Sequence, residues 1–196
     1  MKDVETKELS GQFIILKPVD ESDFDEIIKW RNDPENNRYL NQVYKLDLNL
    51  QKKWYYEKYL NSNDILFMII AKEKNKRIGT IGINDLDLEN RIGILGRLLI
   101  GEIEYRGSKE LIEAMVLMYD YIFYDLMVEN LYGHCVIENE NVISFDRKFG
   151  FKPTVETFFP QYCHVNSMNL IEMLNTPQTY EKVRPNFIKI INYYKK

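Results

Sequence analysis

Three apolar, branched runs follow one another in this chain with almost nothing between them. Ile65 to Lys72, Arg77 to Asp85 and Arg91 to Ile100 are parted only by the turn signals Lys74-Asn75-Lys76 and Asp87-Leu88-Glu89-Asn90. Connections this short join antiparallel neighbours, because a parallel pair needs a crossover of a dozen residues or more. A three-stranded meander therefore lies at the centre of the fold. From Leu111 the period changes to helical, with Leu111, Met115, Met118, Ile122 and Leu126 on one face, and Asn130 to Ile137 returns to a strand. The meander and the crossover helix share one mixed sheet, which makes the fold class α+β, or α/β in looser schemes.

The flanks fit the same sheet. Phe13 to Val19 reads as a strand that ends at Asp20-Glu21-Ser22-Asp23, a helix N-cap with acidic residues at the positive dipole end. Phe24, Ile27 and Ile28 give a helix stopped by Pro34, and Leu48 to Leu60 gives a second one carrying Trp54, Tyr55, Tyr56 and Tyr59. Asn141 to Lys148 is a short helix closed by Gly150, and the alternation from Tyr162 and His164 through Met173 predicts the last strand pair. Pro177 to Lys196 is a closing helix. A length of 196 residues with 45% hydrophobic residues suits one domain spanning 1–196, with a core over 13–173 and an extension over 177–196.

Charge and composition exclude several classes. A net charge of −4 supplies no clustered basic face for nucleic acid. The longest apolar run, Ile65 to Ala71, is too short to cross a bilayer, and the acidic start from Met1 to Gly11 has no signal-peptide core, so a cytoplasmic protein without membrane contact is expected. Cys135 and Cys163 lie in strand-like segments and read as buried free thiols; two cysteines give neither a disulfide framework nor a metal set.

The glycines concentrate between Gly79 and Gly107, which marks that stretch for turns and close backbone approaches. There, Gly96-Arg97-Leu98-Leu99-Ile100-Gly101-Glu102-Ile103-Glu104-Tyr105-Arg106-Gly107 runs into a helix with Glu113-Ala114. Further on, Asn139 is followed by Ser144, Lys148, Gly150 and Phe151, and near the start stand Ile15-Leu16-Lys17-Pro18 and Trp30-Arg31-Asn32-Asp33. Together these segments resemble the GNAT acyltransferases, in the branch acting on ribosomal N-termini, polyamines and nucleotide-linked amino sugars. The chain departs from that pattern at two glycine positions, held here by Lys109 and Leu111.

The resemblance implies acetyl-CoA as co-substrate, no metal, and direct attack by an amine without a covalent enzyme intermediate. It implies that the central strand splays from its parallel neighbour, with Leu99, Ile100 and Gly101 presenting backbone groups to the acyl-pantetheine. Arg106, Gly107, Ser108, Lys109, Glu110 and Leu111 would cradle the pyrophosphate, since a turn opening a helix presents unpaired N–H groups and a positive dipole end. Asn139 would face the pantetheine arm. Asp146 occupies the place of a proton-donating tyrosine, and a solvated helix-surface aspartate is its plainer reading. His134 and Glu102 are the candidate bases, ahead of Asp85 and Glu89, and a structural histidine is the alternative for His134. Arg31 or Asn32 would border the acceptor. A small-molecule amine is the expected acceptor, a nucleotide-linked amino sugar above all, with the aromatic group Tyr39, Tyr44, Trp54, Tyr55 and Tyr56 available either to stack on it or to pack the second helix. A protein N-terminus and a catalytically inactive binding module are the competing readings, and a homodimer is among the assemblies the resemblance allows.

Overall fold

The computed structural model describes residues 6–40, 42–165 and 168–195. Most of the acidic start, Met1 to Glu5, and the terminal Lys196 lie outside them. The strands are β1 (Leu9–Ser10), β2 (Ile14–Pro18), β3 (Ile65–Ala71), β4 (Lys76–Asp87), β5 (Ile92–Ile100), β6 (Asn130–Val136), β7 (Lys152–Pro153), β8 (His164–Val165) and β9 (Met168–Asn175). The helices are α1 (Phe24–Asn32), α2 (Pro34–Asn37), α3 (Leu48–Glu57), α4 (Lys109–Asp120), α5 (Glu140–Lys148) and α6 (Pro177–Tyr193), and a π-helical turn, Tyr121–Asp125, prolongs α4.

The sheet runs β1-β2-β3-β4-β5-β6-β9-β7, with β8 paired to β9 beside it. Its pairs are antiparallel except β5 with β6, whose register is Ile92↔Asn130 to Leu95↔Gly133. The meander and the mixed sheet stand as expected. The tail differs in detail: β9 pairs on one side with β6 and on the other with the two-residue strands β7 and β8. Cys163 ends a 3-10 turn, Pro160–Tyr162, instead of lying in a strand, and is half-buried; Cys135 is buried, and both are free thiols. No helix among the described residues is long and apolar enough to cross a membrane.

Strand alternation divides the core. Ile65, Phe67 and Ile69 of β3 face α4, α5 and α6 in the main cluster, with Met115, Tyr119, Phe149, Phe151 and Phe187. Leu66 and Met68 point the other way and meet Phe24, Ile27 and Trp30 of α1, with Tyr59. Each fully buried side chain of this size stabilises the fold by about 1.5–3 kcal/mol. Gly101 shows why the junction tolerates no larger residue: a Cβ there would lie 2.1 Å from the Trp30 ring.

Candidate active site

Two features of β5 set the site's geometry. Its pairing with β6 stops at Leu95↔Gly133, although β5 continues to Ile100 and β6 to Val136. Beyond that point each strand bonds only its outer neighbour, β4 or β9, so the inner backbone edges diverge. Gly82 pairs with Gly96 and Thr80 with Leu99, which places one extra residue in β5, and Arg97 accommodates this bulge at φ 54°. Thr80 Oγ1 donates to the Arg97 carbonyl at 2.8 Å, Arg97 Nε donates to Asn84 Oδ1 at 2.6 Å, and Arg97 Nη2 lies 3.1 Å from Asp64 Oδ2. A non-glycine residue in the left-handed region costs roughly 1–3 kcal/mol, and these bonds hold it there.

The splay leads into the α4 N-terminus. Ser108 caps the helix by accepting from Leu111 N, and the first intrahelical bond is Ile112 N to the Ser108 carbonyl. The N–H groups of Lys109 and Glu110 precede that ladder, and Gly107, at φ 74°, has open space where a Cβ would stand. An anion therefore finds donors, a dipole end and clearance together, so this end of the site fits a pyrophosphate. The Lys109 ammonium lies 4.4 Å from the centroid of the Phe13 ring and 5.8 Å from that of Tyr194, drawing the side chain toward those rings. Arg106 donates to Asn36 on α2.

Several predicted residues carry structural duties. Gly101 N is bonded to the Ile78 carbonyl at 3.0 Å and is not a free donor, because the β4 edge already claims it. Asn139 caps α5, accepting from Val142 N at 3.4 Å. Glu102 lies 2.6 Å from Lys76 Nζ and accepts from Trp30 Nε1 at 2.9 Å; Lys76 first, then Trp30, holds its carboxyl below the ordinary value, which makes it a poor proton acceptor. Asn32 Oδ1 accepts from Leu46 N at 2.8 Å and its amide donates to the Leu46 carbonyl, so it pins the loop between α2 and α3.

Beyond Gly133, β6 carries two titratable groups on opposite faces. His134 Nε2 lies 3.2 Å from Glu172 Oε2, and that carboxylate also accepts from Phe158 N, Phe159 N and Thr154 Oγ1. Burial lowers the His134 pKa and leaves the ring neutral near pH 7. On the other face, Asp146 is buried at 6% exposure with Cys135 Sγ at 3.1 Å, and Tyr119 Oη is buried nearby with no hydrogen-bond partner among the described residues. Asp146 is not a solvated helix-surface residue: α5 turns it inward, and burial raises its pKa to about 6.

On the α1 and α3 side of the sheet, a cavity of about 190 Å³ is lined by Arg31, Gln42, Gln51, Trp54, Arg97 and Leu99, among others. Arg97 stacks 4.7 Å from the Trp54 ring centroid. The aromatic group divides: Trp54 and Tyr44 line the cavity, whereas Tyr55 packs on Phe24 and Tyr56 bonds Glu21. Arg97 and Gln51 are not among the site residues that the sequence marks. Arg97 stood inside the glycine-rich pattern without a signal of its own, and Gln51 could be found only by noting that it shares a helix face with Trp54 at i+3. A larger, more open depression of about 340 Å³, with Asn130 and Thr176 in its lining, lies where β5 and β6 are still paired; its Arg91 is matched by Glu129.

Residues 14–152 match the family model of the acetyltransferase (GNAT) domain. Among solved structures, a GCN5-related N-acetyltransferase from Brucella melitensis is similar at TM-score 0.77 and 20% identity, covering 95% of this chain and 86% of that one. Apo FdhC, described as a nucleotide-linked sugar GNAT, gives 0.74 at 20% identity over 95% and 99%. Spermidine N-acetyltransferase from Vibrio cholerae, in complex with CoA and spermine, gives 0.73 at 17% identity over 87% and 99%. No curated protein sequence matches significantly. The splayed strand pair, the anion-ready helix end and the family match agree, and the chain belongs to the GNAT acetyltransferases as an acetyl-CoA-dependent N-acetyltransferase.

Proposed function

We propose that this chain acetylates the primary amine of a small molecule in the cavity between α1, α3 and β5, with nucleotide-linked amino sugars as the acceptor class. The observation that carries the reading is the double position of Leu98 and Leu99, which lie on the stretch of β5 no longer paired with β6 and also line the cavity. An acceptor there meets the edge where a thioester would lie. Bound acetyl-CoA supplies the activated carbonyl and a thiolate leaving group. The N–H groups of Lys109 and Glu110, with Gly107 giving clearance, would hold its pyrophosphate; Ile100 would present backbone groups to its arm, Leu99 being paired with Thr80 of β4, and the Asn139 amide would face that arm.

The two faces of β6 divide the proton handling. With Nε2 directed at Glu172, the neutral His134 ring has Nδ1 to accept a proton from the attacking amine. Asp146, with a pKa near 6, retains enough protonated form to supply a proton to the departing sulfur. The structural similarity to a nucleotide-linked sugar GNAT and the Trp54 and Tyr44 rings in the cavity support a sugar acceptor. The cytoplasm is the compartment this reading expects.

Release of free CoA from acetyl-CoA across a panel of amines tests the proposal. Nucleotide-linked amino sugars should turn over fastest, and faster turnover of peptides with free N-termini would sink the acceptor assignment. Acetyl-CoA at 100 times its Kd should add about 2.7 kcal/mol of apparent stability. His134→Gln should lower kcat on the order of 100-fold.

A further inference from the structure

The cavity holds one matched cation and one unmatched cation. Arg97 is neutralised by Asp64 at 3.1 Å and further bonded to Asn84. Arg31 faces the same space, and no carboxylate pairs with it among the described residues; its Nε donates only to the neutral Gln42 Oε1 at 2.9 Å. Burial and the nearby Arg97 charge both push the Arg31 pKa down, so the guanidinium stands in a place that penalises its charge. A second polar group in the lining is also unsatisfied. Gln51 is 3% exposed on α3, and its Nε2 has no hydrogen-bond acceptor among the described residues. A buried donor without a partner is destabilising, and a turn of the Gln51 amide toward the cavity would let an acceptor atom there satisfy it.

We infer that the cavity binds an oxyanion, and that the acetyl acceptor is an amine tethered to a carboxylate or a phosphate that is gripped by Arg31 and by the Gln51 amide. This rests on the reading of the cavity as the acceptor pocket. The chemistry of the lining selects against the alternative. Arg31 and Arg97 are its charged residues, and a polyamine would bring further cations to a site with no lining carboxylate among the described residues. An oxyanion reverses each term: it neutralises Arg31, separates two like charges electrostatically, and gives Gln51 Nε2 an acceptor. A planar guanidinium can meet either a carboxylate or a phosphate through paired N–H donors. The grip also fixes the distance between the anion and the amine, so it decides which amines reach the β5 edge.

Steady-state kinetics on the full chain test this with matched acceptors: an ω-amino carboxylate and its neutral amide, and an amino-sugar phosphate and its free amino sugar. The anionic member of at least one pair should have the lower KM, and which pair responds distinguishes carboxylate from phosphate. Arg31→Met should raise that KM by 30-fold or more, leave kcat within threefold, and leave the KM of the neutral partner unchanged. Arg31→Lys should recover part of the loss. Asn37→Ala, which removes a bond to the Arg31 carbonyl but keeps the guanidinium and lies outside the cavity lining, separates loop disorder from lost charge and should move KM by less than threefold. Equal KM for charged and neutral partners in wild type, or equal effects of Arg31→Met on both, would overturn the inference. If no amine turns over, calorimetry with inorganic phosphate and with acetate decides: anion binding lost in Arg31→Met keeps the oxyanion site while the acceptor reading fails, and no anion binding in wild type removes both.

Discussion

Two charged side chains, one on each side of the sheet, the first buried and the second half-buried, are treated oppositely by this fold. On the α4 side, Glu113 is 4% exposed, and its carboxylate accepts from three consecutive backbone N–H groups, Gln12 at 2.7 Å, Phe13 at 2.6 Å and Ile14 at 3.0 Å. The fit is close enough that a Cβ on Gly11 would lie 2.5 Å from the Glu113 carboxyl carbon. On the α1 and α3 side, Arg31 and Gln51 face a cavity with donors left over. Desolvation of a charge is costly in both places. Where the chain itself supplies every partner, the group fastens one element to another, as Glu113 ties the β1–β2 turn to α4. On the α1 and α3 side the missing partners gather at one cavity, next to the strand edge where chemistry would occur. Asp146 stands between these cases, with the Cys135 thiol as partner and close by the Tyr119 hydroxyl, which has no partner among the described residues.

The comparison predicts unequal responses to mutation. The largest belongs to Glu113→Ala, which strands three backbone donors and should cost about 3–5 kcal/mol, a fall in Tm of roughly 10 °C or more. Arg31→Met should instead change stability by less than about 1 kcal/mol or raise it, since it removes an uncompensated charge. Parallel chemical denaturation of the two variants checks this, and equal losses would break the distinction.

Asp146→Asn gives the next effect, with a sign fixed by linkage. The carboxyl titrates near 6 in the fold against 3.8 ordinarily, so between those values the folded state binds more protons and stability falls as pH rises. Removing the charge should add up to about 3 kcal/mol at pH 8 and nothing near pH 4. The same variant should lower kcat if the carboxyl supplies the proton to sulfur, so stability and turnover would move in opposite directions. A uniform loss of stability at both pH values would show that the thiol contact outweighs burial.

The smallest effect concerns the α4 N-terminus. Its donors are backbone groups, and the Lys109 side chain is drawn to Phe13 and Tyr194. Lys109→Gly should therefore leave acetyl-CoA affinity similar or modestly weaker by calorimetry. A tenfold gain, about 1.4 kcal/mol, would mean that the lysine obstructs the phosphate, and would revive the reading of an inactive module.

Much of the architecture was legible in the sequence because its signals are local. Alternation in Ile65 to Ala71, the short turns of the meander and the helical period from Leu111 each follow from residues within a few positions of one another. The Asn139 to Phe151 pattern and the α4 turn were recognisable for the same reason: a cap and a left-handed glycine, here Gly150 at φ 103°, are local backbone requirements.

Burial of single polar side chains was not legible, because it depends on which distant surface covers them. Asp146 reads as a surface residue until α5 is laid on β6, and Glu102 reads as a candidate base until Lys76 and Trp30 are brought to it from β4 and α1. The bulge at Arg97 arises from a register mismatch between two strands and from Asp64 and Asn84 across the sheet, so no window of sequence contains it. The sequence by itself determined the order of elements, the meander and the helix end able to hold an anion, since short-range sterics and hydrogen bonding suffice for these. Only the tertiary structure decided which charges are matched: Arg31 is an ordinary helix-end cation until packing gives Arg97 a carboxylate and leaves Arg31 none among the described residues, because desolvation and pairing are properties of assembled surfaces.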